Sequence, residues 1–308
     1  MDSPLVRVIL ATFGGYLFIL LSLCVYDWFM EAFPTRPSQP PSASRIQHPI
    51  HHREAVGALE VFARLPKVEQ TAIKENLESN LISLGQWITQ FNRSDCQILC
   101  IGELHEEPTR NFLADAFFTK VKADTLLLEA TPEKLERCIK RMEAGREYYP
   151  LLQADIMRPL RAAIKRNPDI QISGIEETDE QQKDSGGLSN SRDRHIARNF
   201  WDSFQPGKRN IILFGALHCK NESNWLFQNL HNQAPLPLKD RMLNIVVLGE
   251  HQKGPLEAFV YFLDEIGIEK RYFVIPGSSQ LHPRVCEFFQ LLRRQTLDKY
   301  RFVIVFRG

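Results

Sequence analysis

The chain has 308 residues, which is enough for one large or two small domains. Hydrophobic residues make up 44% of it and charged residues 24%, a composition that allows a full globular core. The formal net charge at pH 7 is only +1 and the basic residues are scattered, so we expect no nucleic-acid partner.

The first predicted element is a membrane-spanning helix. Residues 8–26 form an almost uncharged apolar run, close to the ~20 residues with which a helix crosses a bilayer. Tyr26 lies at the end of the run, where aromatic rings favour the membrane interface. Arg7 before the run and Asp27 after it favour a soluble domain on the non-cytoplasmic side. We therefore expect a single-pass anchor in residues 1–31 that contacts the lipid bilayer. A cleaved signal peptide is the alternative, but the run is long for one and no A-x-A-like site follows closely.

A linker and a helical segment follow the anchor. Residues 32–53 are rich in Pro, Ser and Gln and have no apolar period, which indicates a semi-rigid tether. Its histidines could bind a metal, but a plain polar linker is favoured because nothing fixes the imidazoles in place. They are His48, His51 and His52. The α/β domain is predicted for residues 54–308, with a helical lead-in over 54–94, broken at Pro66, and a sheet domain over 95–308.

In the sheet domain, short apolar runs alternate with amphipathic stretches. The predicted strands are 97–101, 125–129, 170–175, 210–214, 243–248, 272–275 and 302–306. The predicted helices are 109–121, 132–144, 151–165, 192–204, 223–233, 256–266 and 284–292. Runs that are apolar on both faces and separated by helices are typical of buried parallel strands. The predicted fold class is therefore α/β, with a mostly parallel central sheet flanked by helices on both faces. The last run is expected to be an edge strand of either direction, and the polar stretch 177–191 a mobile loop.

The six cysteines form no CxxC pair and suggest no disulfide framework. Cys96 and Cys100 belong to one short strand and lie too far apart along it to bridge each other. Free thiols fit a reducing compartment slightly better. Cys219 could be a nucleophile, but a buried structural thiol is favoured.

Carboxylate or imidazole side chains follow five successive predicted strands. They are Glu103 and His105, Glu129, Glu176 and Glu177, His218, and Glu250 with His251. Because the carboxyl ends of parallel strands meet at one edge of a sheet, we expect these groups to converge there. Ordinary caps and exposed loop residues are the alternative, and that interpretation is favoured for Glu250 and His251.

Two turns, Gly102-Glu103-Leu104-His105 and Gly215-Ala216-Leu217-His218, carry the sharpest signal. Glu103 and His105 are two residues apart in an extended stretch, so both side chains project to one side. The trio Glu103, His105 and His218 is a suitable ligand set for a divalent metal such as Zn, Mn or Fe. Without a metal, an imidazole beside a carboxylate can act as a general base.

Several segments resemble one superfamily, which joins Tiki/TraB proteins, ChaN-like haem-binding lipoproteins and erythromycin esterases. The segments are 98–105 (ILCIGELH), 126–129 (LLLE), 192–197 (RDRHIA), 211–218 (IILFGALH) and 298–302 (DKYRF), within about 95–306. Ile196 stands where the family's helix commonly has Met, and Cys24 has no clear lipobox around it.

The resemblance implies a polar site with Arg192 as a support. Its members would be Glu103, His105, Glu129, His218 and Arg192. It also implies three possible activities, namely metal-dependent peptide hydrolysis, metal-independent ester hydrolysis, and haem binding, among which the fold alone does not choose. The predicted function is a membrane-anchored hydrolase of ester or peptide bonds that acts on a small molecule or a peptide. The alternatives are a non-catalytic protein that binds haem or a metal, and a tethered scaffold with a degenerate site.

Overall fold

A single eight-stranded sheet organises the computed structural model, which describes residues 49–145, 157–185, 189–250 and 255–307. The strands are β1 (Ile82–Ser83), β2 (Ile98–Glu103), β3 (Thr125–Leu128), β4 (Gln171–Gly174), β5 (Asn210–Gly215), β6 (Met242–Gly249), β7 (Tyr272–Pro276) and β8 (Phe302–Phe306). Their order across the sheet is β1-β7-β8-β6-β2-β5-β3-β4. Strands β4, β3, β5, β2, β6 and β8 are parallel to one another, whereas β7 runs antiparallel to both of its neighbours, β8 and β1. The prediction of an α/β fold with a mostly parallel sheet is confirmed.

Helices surround this sheet. They are α1 (Pro49–Arg64), α2 (Lys67–Asn80), α3 (Leu84–Arg93), α4 (Glu107–Phe112), α5 (Pro132–Glu143), α6 (Met157–Arg166), α7 (Asp179–Ser185), α8 (Ser189–Ser203), α9 (Leu226–Gln233), α10 (Leu236–Lys239), α11 (Pro255–Glu265), α12 (Pro283–Phe288) and α13 (Gln290–Leu292). Helix α3 shows how local sequence sets a boundary, because Ser83 and Gln86 form a reciprocal capping box at its start. Pro66 separates α1 from α2, as the sequence predicts.

Successive side chains of each strand point to opposite faces of the sheet and contribute to two separate buried apolar clusters. In β2, Ile98 and Cys100 belong to one buried cluster, whereas Leu99 and Ile101 belong to the other. Helices α1, α2, α8, α9 and α11 contribute to the first cluster, and α3, α4, α5 and α6 contribute to the second. The sheet is therefore covered by helices on both faces.

The structure corrects four predictions about elements. Strand β8 is not an edge strand, because it lies between β7 and β6 and runs parallel to β6. The stretch 177–191 is not simply a mobile loop, because α7 forms within it and α8 begins at Ser189. The predicted helical lead-in contains β1, which pairs with β7 and is too short to show a period of its own. Helix α1 begins at Pro49, within the range predicted as a linker.

The predicted membrane anchor, residues 1–31, lies outside the described residues. Of the helices that the structure does describe, none has both the length and the apolar composition needed to cross a membrane.

Candidate functional site

Three neighbouring strands bring the predicted polar residues together at one edge of the sheet. Strand β2 ends at Glu103, and β5 ends beside it at Gly215, its partner in the parallel register. Strand β3 is the next neighbour of β5, and Glu129 follows it directly. The carboxyl ends of parallel strands thus meet as the sequence analysis expects.

The first turn contains a buried ion pair that holds an imidazole. Glu103 and Arg110 are 1% and 2% exposed. The Arg110 guanidinium donates to both Glu103 oxygens, through Nε at 3.1 Å to each and through Nη2 at 2.8 Å to Oε1. His105 Nδ1 lies 2.9 Å from the same Oε1. Arg110 Nη2 also lies 3.0 Å from Nδ1, but it already donates to Glu103. Because a carboxylate only accepts hydrogen bonds, we assign the proton to Nδ1, which leaves Nε2 as the basic nitrogen of His105.

Glu129 connects the two turns. Its Oε1 accepts from Arg192 Nη2 at 2.8 Å, and its Oε2 accepts from the backbone N–H of Gly215 at 2.8 Å. His105 Nε2 lies 3.4 Å from Oε2, and His218 Nε2 lies 3.8 Å from Oε1. Both imidazoles therefore direct Nε2 toward the same carboxylate.

Arg192, on α8, binds two carboxylates and one imidazole. Its Nε donates to Glu176 Oε1 at 2.9 Å, and its Nη2 is shared between Glu176 and Glu129. Its Nη1 lies 3.1 Å from His218 Nε2. The hydrogen bond with Glu176 is the main reason that the pKa of Arg192 lies above its ordinary range, so this group is a permanent cation in the site.

A fully buried carboxylate, that of Asp193, holds His218 at Nδ1. Its Nδ1 donates to Asp193 Oδ1 at 2.8 Å, and Asp193 Oδ2 accepts from the backbone N–H of Leu226 at the start of α9 at 2.7 Å. The Trp225 ring lies edge-on to the imidazole, with centroids 5.8 Å apart. Nε2 is thereby left as the acceptor that faces Arg192. Arg192 and Asp193, which are adjacent residues of α8, therefore contact the two different ring nitrogens of His218.

Hydrogen bonds shift the pKa values of Glu103 and His105, the two titratable groups of the first turn. Burial alone would raise the pKa of Glu103, but hydrogen bonds from His105 and Arg110 outweigh it and hold that pKa below its ordinary value. The hydrogen bond to Glu103 raises the pKa of His105, burial opposes this, and the charge of Glu129 adds to it. Glu103 is therefore an anion at neutral pH, and His105 is a stronger base than a free histidine.

Glu129 is also held as an anion. Burial would raise its pKa, but the nearby His218 imidazole, the hydrogen bond from Arg192 and the N–H of Gly215 together lower it. The site contains four carboxylates, those of Glu103, Glu129, Glu176 and Asp193, against the guanidinium groups of two arginines, Arg110 and Arg192. This excess of negative charge favours protonation of the more exposed imidazole, which is that of His105.

Glycine is required where the two turns approach each other. A Cβ atom on Gly215 would lie 2.8 Å from His105 Nε2, and one on Gly102 would lie 2.9 Å from the Cα of Ala216. A disulfide lies beside the two turns, between Cys100 in β2 and Cys219 directly after the second turn, whose Cα atoms are 5.6 Å apart. The expectation of free thiols and no disulfide is thus wrong for this pair, because parallel neighbours bring together cysteines that are distant in sequence.

The predicted metal ligands do not form a common shell in this arrangement. Both oxygens of Glu103 are occupied by Arg110, and the Arg192 guanidinium faces Nε2 of His218, where a cation would bind. Among the residues that the structure describes, no group of three or more His, Cys, Asp or Glu side chains is placed to hold a metal.

The structure brings the five residues singled out from the sequence into one cluster, in which a 3.4 Å contact between His105 and Glu129 joins two hydrogen-bonded groups. The five residues are Glu103, His105, Glu129, Arg192 and His218. Sequence reasoning did not assign roles to Arg110 or Asp193, and it left Glu176 undecided. Each of these binds a member of the cluster directly.

The remaining candidates from the strand ends lie outside this cluster. Glu177 pairs with His195 at 2.7 Å, and Glu250 lies 3.5 Å from Arg307. His251 falls outside the described residues.

No protein-family profile and no curated protein matches the chain. Among solved structures, the chain resembles a bacterial protein toxin at 10% identity and a TM-score of 0.36, over 63% of this chain and 44% of the toxin. It also resembles RRSP, a MARTX toxin effector domain from Vibrio vulnificus, at 12% identity and a TM-score of 0.34, over 65% of this chain and 45% of that one. A third likeness is to FtsY from Mycoplasma mycoides, at 11% identity and a TM-score of 0.29, over 68% and 59%. The chain thus matches less than half of each toxin structure.

Proposed function

We propose that this protein hydrolyses ester or peptide bonds, with His105 as the general base and with no need for a metal. One observation carries the proposal. The Nδ1 of His105 is held by a buried carboxylate that is itself held by a buried arginine, while the His105 side chain remains 40% exposed. An imidazole with one nitrogen fixed by a buried carboxylate, on a side chain that solvent still reaches, is suited to general-base catalysis.

The reaction begins when His105 Nε2 removes a proton from water. The water oxygen then bonds to the carbonyl carbon of the substrate, and the carbonyl oxygen takes up the negative charge. Arg192, fixed by Glu129 and Glu176, provides positive charge for that oxygen without having to reorganise. When the tetrahedral intermediate collapses, the C–O or C–N bond breaks and the leaving group takes the proton from His105. His218 keeps Arg192 in place through its Nε2.

We also propose the family, the membrane anchor and the location of the domain. The resemblance to the superfamily of Tiki/TraB, ChaN-like and erythromycin esterase proteins, and anchoring through residues 8–26, rest on the sequence. The Cys100–Cys219 disulfide supports a domain on the non-cytoplasmic side, because such bonds persist in oxidising compartments.

The test is hydrolysis of p-nitrophenyl esters and fluorogenic peptides by the full chain in lipid nanodiscs. His105→Ala should lower the rate by about 10²- to 10⁴-fold, the usual contribution of a general base. His231→Ala, on the neighbouring helix α9, is the control and should leave the rate unchanged.

Three outcomes would contradict the proposal in distinct ways. Activity that chelator abolishes and Zn, Mn or Fe restores would indicate a metal-dependent enzyme. Absence of hydrolysis, together with a Soret band that depends on His105 after haem titration, would indicate a haem-binding protein. If neither His105→Ala nor His218→Ala changes anything except stability, the domain is a scaffold.

A further inference from the structure

A groove of about 590 Å³ lies next to the cluster, on the β6 side of the β2 turn. Its apolar wall includes Leu104, Leu217, Val246 and Leu248. The two leucines are 37% and 50% exposed, so the groove presents apolar side chains to solvent.

The groove and the cluster are built from the same two turns. Leu104 lies between Glu103 and His105 in the chain, and Leu217 directly precedes His218. Each turn therefore contributes its histidine to the cluster and its leucine to the groove. The Tyr300 hydroxyl donates to the carbonyl of Ala216 at 2.7 Å, which fixes the second turn against the groove.

The groove carries an excess of positive charge. Lys299 and Glu222, which both line it, form an ion pair with each other at 3.4 Å. Lys220 and Arg294 line it as well, and neither forms an ion pair with any acid of the described residues. An apolar wall beside two uncompensated cations is complementary to an aliphatic chain that ends in an anion.

We propose that this groove binds the part of the substrate remote from the scissile bond, and that this part is an aliphatic chain ending in a carboxylate or a similar anion. The proposal rests on the proposed hydrolase function, since the same turns would place the scissile carbonyl at His105. The apolar wall takes the chain, and Lys220 and Arg294 bind its charged end.

Photoaffinity labelling of the full chain in zwitterionic nanodiscs tests this without depending on catalysis. The probe is a diazirine-bearing hexanoate, and the matched neutral probe is the corresponding alcohol. We expect the carboxylate probe to label peptides that contain Leu104 or Leu217, and free hexanoate to compete far better than hexanol. The double variant Lys220→Ala/Arg294→Ala should lower labelling between about two- and tenfold, as expected for two exposed ion pairs. Lys208→Ala, an exposed cation elsewhere, should not lower it.

The apolar wall has its own variant. Leu217→Ser should reduce labelling, whereas Leu236→Ser, at a leucine that is 79% exposed outside the groove, should not. Labelling that is absent, equal for the alcohol probe, or unchanged in the double variant would overturn the proposal. Circular dichroism shows whether each variant is folded, and competition on the wild-type chain needs no variant at all.

The two assays show separately whether the proposed groove ligand or the proposed hydrolase activity is wrong. His105→Ala should lose hydrolysis but keep full labelling. Hydrolysis without labelling would refute only the groove, whereas labelling of the wild type without any hydrolysis would refute the proposed activity and keep the ligand class.

Discussion

Replacing Arg110 by methionine should destabilise the protein strongly, because Glu103 would lose its main counter-charge in a buried position. Three hydrogen bonds of 2.8 to 3.1 Å disappear while the carboxylate stays only 1% exposed. Breaking a buried pair on one side costs about 3–5 kcal/mol. Since the Nδ1–H of His105 remains as a donor, we expect the lower end, about 3 kcal/mol.

A second substitution separates lost charge compensation from lost packing. In Arg110→Met/Glu103→Gln no unpaired charge remains, and the amide oxygen of the new side chain can still accept from His105, so we expect a loss of only about 1 kcal/mol. Urea unfolding of the full chain, followed by tryptophan fluorescence, measures each difference. Arg158→Met is the control, because its pair with Asp115 is 53% and 62% exposed and should contribute no more than about 1 kcal/mol.

The pH dependence of the free energy of unfolding tests the same charge argument. The pKa of Glu103 is lowered by folding, so its contribution to stability is present above the unfolded pKa and is lost as the pH falls through the folded one. The difference between wild type and Arg110→Met should therefore narrow in acid. A double variant that is as unstable as Arg110→Met alone, at every pH, would refute the charge argument.

Three further predictions concern the activity and the second turn. Because the pKa of His105 lies above its ordinary 6.5 and the base must be neutral, kcat/KM should rise with pH through a value above 6.5, and Glu103→Gln should move that limb to lower pH. Gly215→Ala should lower kcat/KM at least tenfold, because the new Cβ would lie 2.8 Å from His105 Nε2 and displace the imidazole. The fold should stay intact, since the backbone φ of −55° at this position suits alanine. Gly57→Ala is the control, because no atom lies within 4 Å of a Cβ built there. Asp193→Asn should cost about 1–3 kcal/mol in urea unfolding, because a fully buried acceptor of two hydrogen bonds loses its charge; an unchanged midpoint would contradict this.

The sheet could be predicted from the sequence because its strands are strongly apolar and separated by helices. Seven of the strands lie within one or two residues of their predicted bounds. The place of β8 between β6 and β7 could not be predicted, since strand order is decided by long-range pairing that leaves no local pattern. The Cys100–Cys219 bond was missed for the same reason.

The carboxylates and imidazoles at the strand ends could be predicted from a rule of parallel sheets, whereas two of their partners on helices, Arg110 and Asp193, were missed. A signal for those partners exists in the helical period. Arg110 shares an apolar stripe with Leu113, Ala114 and Phe117, all of them buried. Asp193 falls in the same way on the buried stripe of α8, with Ile196, Ala197 and Phe200. A charged residue on the apolar face of a helix needs a buried partner, and that requirement points to both positions.

The disulfide encloses most of the residues on which the proposed chemistry depends. Cys100 and Cys219 are 119 positions apart, and the segment between them contains Glu103, Glu129 and Arg192. A single proteolytic cut anywhere in that segment would leave two fragments that stay covalently joined until a thiol reduces the bond. Non-reducing electrophoresis would show such a nicked molecule at the mobility of a single chain, and it could still be assayed for activity as one unit.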